Sequence, residues 1–385
     1  MFFWKKFCMV LAILLCMPVS VPVSALAESE LTAPSAVLMD AHTGQILYGK
    51  NPHEVRACAS ITKVMTLTLV MEAIDSGKIS WTDTVTTSAH ASSMGGSDIW
   101  LEVGETMTVD EMVKATIVAS ANDAAVALAE HICGTEDEFV SQMNQKAKAL
   151  GMKETVFKNC NGLDEDGHVT SAYDVAVMSR ELIRHKKIFE YSNIWMDNLR
   201  GGKTQLVNTN KLLKTYRGIT GLKTGTTSQA GSCISATAER DGLSLIAVVL
   251  GSKTGKDRFS DAAKLLDYGF ANYEMYTPDI PEGAVTEIAV KNGMTDKIMT
   301  SAKSENSILI KKGDKEKITS EIVLPNEIDA PIEKNSPIGK IIYKNSGNQI
   351  AEYPITAAES AEQISFGKIF RIIFKQLSGA CPPDC

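Results

Sequence analysis

Two hydrophobic patterns occur between residues 31 and 276. At both ends apolar and polar residues alternate, which is the period of a strand. Between them apolar residues recur at helical spacing. We expect an α/β (α+β) domain with one antiparallel sheet, built from both ends of the region and flanked by helices, and a helical subdomain. The expected strands are 35–39, 45–49, 218–227, 231–239 and 243–251, and the expected helices are 60–75, 108–118, 123–133, 136–150, 171–185 and 257–273.

The pattern changes after a linker at Thr277–Pro281. Residues 277–356 contain short alternating runs separated by polar turns, which predict a small all-β domain of the sandwich type. Residues 357–378 place Phe366, Phe370 and Phe374 on one helical stripe, opposite Lys368, Arg371 and Lys375. Such an amphipathic helix is typical of a membrane interface, and docking on the protein's own surface is the alternative. Residues 379–385 form a tail.

The N-terminus has the pattern of a cleaved export signal, expected over residues 1–27. Lys5 and Lys6 precede an apolar run from Phe7 to Met17, and Ala25-Leu26-Ala27 supplies small residues for cleavage. The apolar run is short for a membrane span, and Leu15 before Cys16 argues against a lipoprotein. The first domain of the mature chain then comprises residues 28–276, and the protein is expected to be exported.

Composition excludes several classes of function. The net charge of −7 and the lack of a basic tract give no support to nucleic-acid binding. The cysteines left after signal removal form no zinc or Cys-x-x-Cys pattern, and the histidines form no His-x-x-x-His pair. A metal site is therefore not expected. The cysteines concerned are 58, 133, 160, 233, 381 and 385.

The run Ser60-Ile61-Thr62-Lys63 opens a helix that is apolar on nearly every face. Residues at i and i+3 share one helix face, so the Ser60 hydroxyl and the Lys63 amine can touch. Burial favours the neutral amine, which is a base able to activate the hydroxyl. The alternative is a helix-capping serine and a lysine that extends to solvent, and this motif alone does not decide between them.

Two later motifs supply further polar groups. Ser120-Ala121-Asn122 interrupts two helices and offers a hydroxyl for proton relay and an amide for a substrate peptide group, or else a helix cap. Lys223-Thr224-Gly225-Thr226 lies on a predicted strand. There the lysine and the threonine hydroxyls suit a carboxylate, and Gly225 permits close backbone approach. An ordinary exposed strand lysine is the alternative.

The three motifs together resemble the active-site set of the penicillin-recognising serine enzymes. The chain is similar to the low-molecular-mass penicillin-binding proteins that act as D-alanyl-D-alanine carboxypeptidases. Asn161-Gly162-Leu163-Asp164 and Asn208-Thr209-Asn210 also match that family. The resemblance is strong from Leu31 to about Tyr276 and implies the penicillin-recognising serine-enzyme fold. It further implies that residues 28–276 are the catalytic domain and that the protein works in the bacterial cell envelope. At Thr226 some members carry histidine, which bears on substrate detail.

The resemblance implies a role for each motif residue. Ser60 attacks the penultimate D-alanine carbonyl, Lys63 is the general base, and Ser120 relays the proton to the leaving D-alanine. Asn122 orients the acyl side, and the carboxylate is bound by Lys223, Thr224 and Thr226. The Ser60 and Thr226 N–H groups form the oxyanion hole. The implied partners are the peptidoglycan pentapeptide, β-lactam inhibitors and the outer face of the cytoplasmic membrane, and no cofactor is implied.

Other activities remain as alternatives. A class A β-lactamase shares the motifs but also needs a Glu-x-x-Leu-Asn stretch, and none occurs between Ser120 and Lys223. An endopeptidase or transpeptidase would use the same residues on other peptides. A penicillin-binding scaffold without turnover is a further, non-enzymatic possibility. A Ser-His-Asp hydrolase would need a histidine in one of these motifs, and there is none.

Overall fold

The protein is described here by a computed structural model that covers residues 26–304 and 307–377. The described chain divides into two compact units, of which the first ends at Asn272 and the second begins at Tyr273. Most of the expected export signal and the expected tail, with Cys381 and Cys385, lie outside the described residues.

The first unit is built around one antiparallel sheet of five strands in the order β2-β1-β9-β8-β7. The first two strands come from the start of the unit and the other three from its end, so the expected sheet assembled from both ends is confirmed. Its strands are β1 (Ser35–Asp40), β2 (Ile46–Lys50), β7 (Ile219–Thr227), β8 (Gly231–Arg240) and β9 (Leu243–Ser252). Two short hairpins add β3 (Thr84–Thr86) with β4 (Thr106–Thr108) and β5 (Met196–Leu199) with β6 (Thr204–Val207).

Helices flank this sheet and form the intervening subdomain. Their buried faces share one hydrophobic core with strands β1, β8 and β9. Thr108 and Glu111 form the expected capping box, in which each side chain accepts the other residue's backbone N–H. The helices are α1 (Lys63–Asp75), α2 (Ala89–Ser92), α3 (Val109–Lys114), α4 (Asn122–Cys133), α5 (Glu136–Ala149), α6 (Ala172–Leu182), α7 (Ile188–Ser192), α8 (Leu212–Thr215) and α9 (Gly255–Asn272).

Apart from a 3₁₀ turn at Lys315–Lys317 and one terminal helix, the described part of the second unit is all-β, in agreement with the sequence. A two-stranded sheet accompanies a six-stranded sheet in the order β14-β16-β17-β12-β11-β15, in which only β11 and β15 are parallel among the described pairs. The strands are β10 (Tyr273–Tyr276), β11 (Glu287–Lys291), β12 (Lys297–Ala302), β13 (Ile308–Lys311), β14 (Ile318–Val323), β15 (Glu327–Asp329), β16 (Pro337–Asn345) and β17 (Asn348–Ala357).

The terminal helix α10 (Phe366–Leu377) is shorter than the segment expected from 357. The expected start is wrong because the preceding residues remain in the sheet: Ala357 ends β17, and Ala361 and Gln363 form bridges with Ile332 and Gly293. The helix presents its phenylalanines to solvent, with Phe366 85% and Phe374 62% exposed. Within residues 26–304 and 307–377, no helix has both the length and the apolarity to cross a membrane.

Candidate active site

Ser60 lies in a tight 3₁₀ turn, Ala59–Thr62, that leads into α1. The sequence predicted a helix beginning at Ser60, and the structure begins it at Lys63. Ala59 adopts φ +51°, a conformation incompatible with an α-helix, and the residues from there to Thr62 form the 3₁₀ turn instead. Ser60 is half-buried, whereas Lys63 is completely buried at the first position of the helix. The Ser60 hydroxyl is therefore nearer to solvent than the buried Lys63 amine.

Three oxygens surround the Lys63 Nζ atom. The Ser60 Oγ lies at 3.0 Å, the Asn122 Oδ1 at 2.5 Å and the Asn161 carbonyl oxygen at 2.5 Å. The Asn122 Nδ2 donates to the Gly95 carbonyl at 2.6 Å, which fixes the amide with its oxygen towards Lys63. Solvent extension of Lys63, the alternative left open by the sequence, is excluded by its burial.

The protonation of Lys63 follows from its burial. Removal from water lowers the pKa of its amine to about 7, and this effect outweighs the opposing influence of Asp98 and Asp123. A neutral amine has two N–H groups and one lone pair. Because the Asn122 and Asn161 oxygens accept only, they take the two N–H groups, and the lone pair is left to face the Ser60 hydroxyl. The arrangement can therefore accept the serine proton.

Ser120 and Asn122 lie at the junction between a π-helical turn and α4. Ser120 is nearly buried and has a left-handed backbone with φ +63°. Helix α4 has no side-chain cap hydrogen bond, so the capping alternative for this pair is excluded. The Ser120 hydroxyl instead accepts from the Lys223 Nζ at 2.8 Å. Lys223 therefore fixes the Ser120 hydroxyl, and Lys63 fixes the Asn122 side-chain amide.

Strand β7 supplies Lys223, Thr224 and Thr226. Lys223 is only 1% exposed, which excludes an ordinary exposed strand lysine. Its Nζ donates to Ser120 and to the Thr224 carbonyl at 2.9 Å. Burial, followed by repulsion from Lys63 and Arg258, lowers the pKa of Lys223. Thr224 donates to the Thr209 hydroxyl at 2.6 Å, while Thr226 is exposed beside it.

Arg258 of α9 is a site residue that the sequence reasoning missed. Its guanidinium donates to the Thr226 hydroxyl at 2.8 Å and to the Gly225 carbonyl at 2.9 Å. The sequence did contain a sign of this role, because the helical spacing of Arg258, Ala262 and Leu265 places all three on the buried face of α9. A charged residue on an apolar stripe needs a buried partner. Asn161 was expected only as part of a family motif, and its backbone carbonyl also accepts a hydrogen bond from Lys63.

Two glycines allow the backbone to pack against the Ser60 turn. A Cβ on Gly225 would lie 2.8 Å from the Cys58 carbonyl oxygen and 2.9 Å from the Ser60 nitrogen. A Cβ on Gly162 would lie 2.1 Å from the Ala59 carbonyl oxygen. Gly225 was expected to admit a substrate backbone, and the atoms that a side chain would meet there belong to the chain itself. The Ser60 turn is thus held between β7 and the 157–167 loop.

No metal-binding group completes this site. Across the described ranges, no three His, Cys, Asp or Glu side chains are grouped so that they could hold a metal ion. The groups in contact are hydroxyls, amines, amides and carbonyls, an arrangement suited to acyl transfer by a serine with a lysine as base.

Comparison with known proteins identifies the class more closely. The family model described as D-alanyl-D-alanine carboxypeptidase matches residues 22–254, and the model for the penicillin-binding protein 5 C-terminal domain matches residues 273–363. The D-alanyl-D-alanine carboxypeptidase DacF of Bacillus subtilis is 46% identical over 338 residues, which cover 87% of each chain. The chain belongs to the D-alanyl-D-alanine carboxypeptidase family, as the sequence motifs predicted.

Solved structures agree with this assignment. Penicillin-binding protein 5 from Haemophilus influenzae superposes with a TM-score of 0.74 at 32% identity, over 88% of this chain and 100% of that one. Penicillin-binding protein D2 from Listeria monocytogenes, solved in an ampicillin-bound form, superposes with a TM-score of 0.57 at 35% identity, over 62% of this chain and 98% of that one. The expected penicillin-recognising fold is confirmed.

Proposed function

We propose that this protein removes the terminal D-alanine from peptidoglycan stem peptides through an acyl-enzyme on Ser60. The observation that carries the proposal is the pairing of Ser60 with Lys63, a completely buried amine 3.0 Å away whose pKa is lowered to about 7. A lysine held neutral near physiological pH is matched to proton abstraction from a serine. Family membership supplies the substrate class.

In the acylation step, the Ser60 oxygen attacks the carbonyl of the penultimate D-alanine, and its proton passes to the Lys63 lone pair. The Ser60 and Thr226 N–H groups stabilise the oxyanion, at roughly 3 kcal/mol per donor. Asn122 orients the acyl side of the peptide. Lys223, Thr224 and Thr226 bind the free carboxylate, and Arg258 holds Thr226 in place through its 2.8 Å hydrogen bond.

Departure of D-alanine requires a proton on its nitrogen. Ser120 relays to this nitrogen the proton that Lys63 took from Ser60, which leaves Lys63 neutral again, and the 2.8 Å contact with Lys223 orients the Ser120 hydroxyl. Water then attacks the ester, with Lys63 again as base. β-Lactams acylate Ser60 because they place a strained amide and a carboxylate in the same positions as the peptide.

The contacts of the site favour slow release of a bound β-lactam. Within the described part of the chain, no hydrogen bond of Ser60, Lys63 or Ser120 goes to a carboxylate. Asp123 is instead engaged by the backbone N–H groups of Ile99 and Leu101. A carboxylate that activates water is the feature that a β-lactamase of the alternative class needs.

The decisive experiment measures D-alanine released from a diacetyl-Lys-D-Ala-D-Ala peptide by the purified protein, with and without penicillin. We expect penicillin-sensitive release, and we expect Ser60→Ala to lose both release and covalent penicillin labelling. Ser141→Ala, which removes an exposed serine hydroxyl on α5, is the matched control and keeps both activities.

Other outcomes identify the alternatives. Stable penicillin labelling without D-alanine release would indicate an endopeptidase or a scaffold, and rapid penicillin hydrolysis would indicate a β-lactamase. Full labelling of Ser60→Ala would place the nucleophile elsewhere.

The proposed place of action is the outer face of the cytoplasmic membrane. The export signal pattern delivers the chain across the membrane, and α10 then lies in the interface with its apolar face towards the lipid. The exposed phenylalanines on this helix support that orientation, since apolar side chains of this size normally find a partner surface.

A further inference from the structure

A large aromatic side chain stands exposed near the active site. Trp100 is 80% exposed, although its neighbours Ile99 and Leu101 are almost completely buried. Its backbone lies at φ +54°. A bulky residue rarely adopts a positive φ, so this conformation persists only where the surrounding structure imposes it. The indole is therefore held outward by the fold of its loop.

Two charged side chains fix the backbone on both sides of Trp100. The Asp123 carboxylate accepts the Ile99 N–H at 3.1 Å and the Leu101 N–H at 3.0 Å. The Arg200 guanidinium donates to the Ile99 carbonyl at 2.8 Å and to the Glu105 carboxylate at 2.6 Å. Hydrogen bonds to charged groups are among the stronger ones in proteins. The loop consequently presents Trp100 at little further cost in conformational entropy.

The same loop contacts the proposed acyl-side residue directly. The Asn122 N–H donates to the Ser97 carbonyl, and its side-chain amide donates to the Gly95 carbonyl, both at 2.6 Å. Trp100 follows Ser97 by three positions, which span at most about 11 Å of extended chain. Four residues of the pentapeptide lie between the scissile bond and its sugar, and they span up to about 14 Å when extended, so the sugar can reach past Asn122 as far as Trp100.

We propose that Trp100 is a stacking platform for a sugar ring of the glycan strand that carries the stem peptide. This assignment rests on the proposed function, because it takes peptidoglycan as the substrate. An indole face is broad, apolar and electron-rich, and its edge carries one N–H donor. A pyranose ring offers a flat C–H face rimmed by hydroxyls that can accept this donor. The D-alanine residues at the end of a stem peptide offer no comparable flat ring.

Trp100 contributes little to the stability of the folded protein. A side chain that is 80% exposed buries little apolar area, so its replacement leaves the free energy of unfolding nearly unchanged. Trp100→Ala should therefore fold normally, and its effects can be measured in the full-length protein.

The test compares kcat/KM for D-alanine release from three substrates: diacetyl-Lys-D-Ala-D-Ala, a free pentapeptide and the disaccharide-linked pentapeptide. We expect Trp100→Ala to lower kcat/KM about tenfold for the disaccharide-linked substrate alone, as loss of a stacking contact of ~1.4 kcal/mol would. Trp100→Phe should recover part of the loss. Val103→Ala, which removes another exposed apolar side chain of this loop, is the control and should change none of the three values.

Each other outcome overturns the assignment. An equal loss on the free and the disaccharide-linked pentapeptide would place the contact on the peptide, and an equal loss on all three substrates would make Trp100 a support for Asn122. No loss on any substrate would leave Trp100 without a role in binding. Failure of the wild-type protein to release D-alanine from diacetyl-Lys-D-Ala-D-Ala would instead contradict the proposed function, so the two failures are distinct.

Discussion

Burial controls the protonation of Lys63, and the expected pH dependence follows from it. The pKa of Lys63 is lowered to about 7, so the amine is a base above this pH and is protonated below it. We expect kcat/KM for D-alanine release to fall about tenfold per pH unit below pH 7. The measurement is a pH profile with saturating and subsaturating peptide.

Lys63→Arg gives the matching mutational test. The guanidinium stays protonated throughout the accessible pH range, so acylation by penicillin should fall by on the order of 10²–10⁴ at every pH. Lys78→Arg, at an exposed position after α1, should keep the wild-type profile. A Lys63→Arg enzyme with normal acylation would exclude Lys63 as the base.

A second buried base, His168, supports the turn that carries Ser60. Its Nδ1 accepts the Lys158 N–H at 3.1 Å, so its Nε2 carries the proton and donates to the Thr62 hydroxyl at 2.7 Å. Thr62 in turn donates to the Ala59 carbonyl at 2.9 Å. The neutral imidazole is thus part of a chain of hydrogen bonds that ends beside Ser60.

Acid should weaken this chain. Burial lowers the pKa of His168 from 6.5 to about 4, so the unfolded protein binds the extra proton first as pH falls. The contribution of His168 to stability is complete above pH 6.5 and is lost as pH falls from 6.5 to 4. We expect the denaturation midpoint to drop over this range, and to drop less in His168→Gln. His42→Gln, at an exposed histidine, should behave as wild type.

At the scale of elements, the site depends on how closely the 157–167 loop packs on the Ser60 turn. Gly162 and Gly151 both have positive φ, but a Cβ would collide with the Ala59 carbonyl only at Gly162, whereas Gly151 has nothing within 4 Å. Alanine variants of these two glycines therefore distinguish the effect of a positive φ from the effect of a collision with the Ser60 turn.

We expect Gly162→Ala to lower the rate of penicillin acylation by on the order of 100-fold, because a displacement of about 1 Å at the nucleophile has that effect. Gly151→Ala should cost only ~1 kcal/mol of stability and leave acylation unchanged. Acylation rates are compared after circular dichroism shows that both variants are folded. A folded Gly162→Ala protein with the wild-type rate would show that this contact does not position Ser60.

At the scale of the whole molecule, the terminal helix is proposed to determine where the enzyme works. Deletion of residues 366–385 should move the mature protein from the membrane fraction to the soluble fraction while D-alanine release continues. The cut falls after the Gln363 bridge with Gly293 and after the hydrogen bond from the Ile364 N–H to the Asn292 carbonyl, so the sheet is left intact.

Substitutions within α10 test the contribution of its apolar face while the helix is retained. Phe370→Ser with Phe374→Ser should weaken binding to lipid vesicles by on the order of 100-fold, because two large apolar contacts are lost. Val285→Ser with Val323→Ser removes two other exposed apolar side chains of the same unit and should bind normally. Unchanged binding of the phenylalanine variant would assign the membrane contact elsewhere.

Local pattern was sufficient to predict the main elements and the family. The period of apolar residues distinguishes strand from helix, so the five-stranded sheet from both ends of the first unit and the all-β second unit were predictable. The Ser60, Ser120 and Lys223 motifs carry enough specific chemistry to identify the family. Boundaries were less predictable, because the tight turn at Ala59 and the sheet pairing of Ala361 depend on residues far along the chain.

Only the tertiary structure decided how these groups work together. Lys63 meets oxygens 59 and 98 residues away, and Lys223 meets a hydroxyl 103 residues away. The periodicity of apolar residues indicates which face of an element is buried, but it does not identify the partner of a buried polar atom. That partner fixes which proton Lys63 can accept, why Gly225 has no side chain, and that Arg258 reaches Thr226. Sequence determined the class of chemistry, and long-range packing determined its geometry.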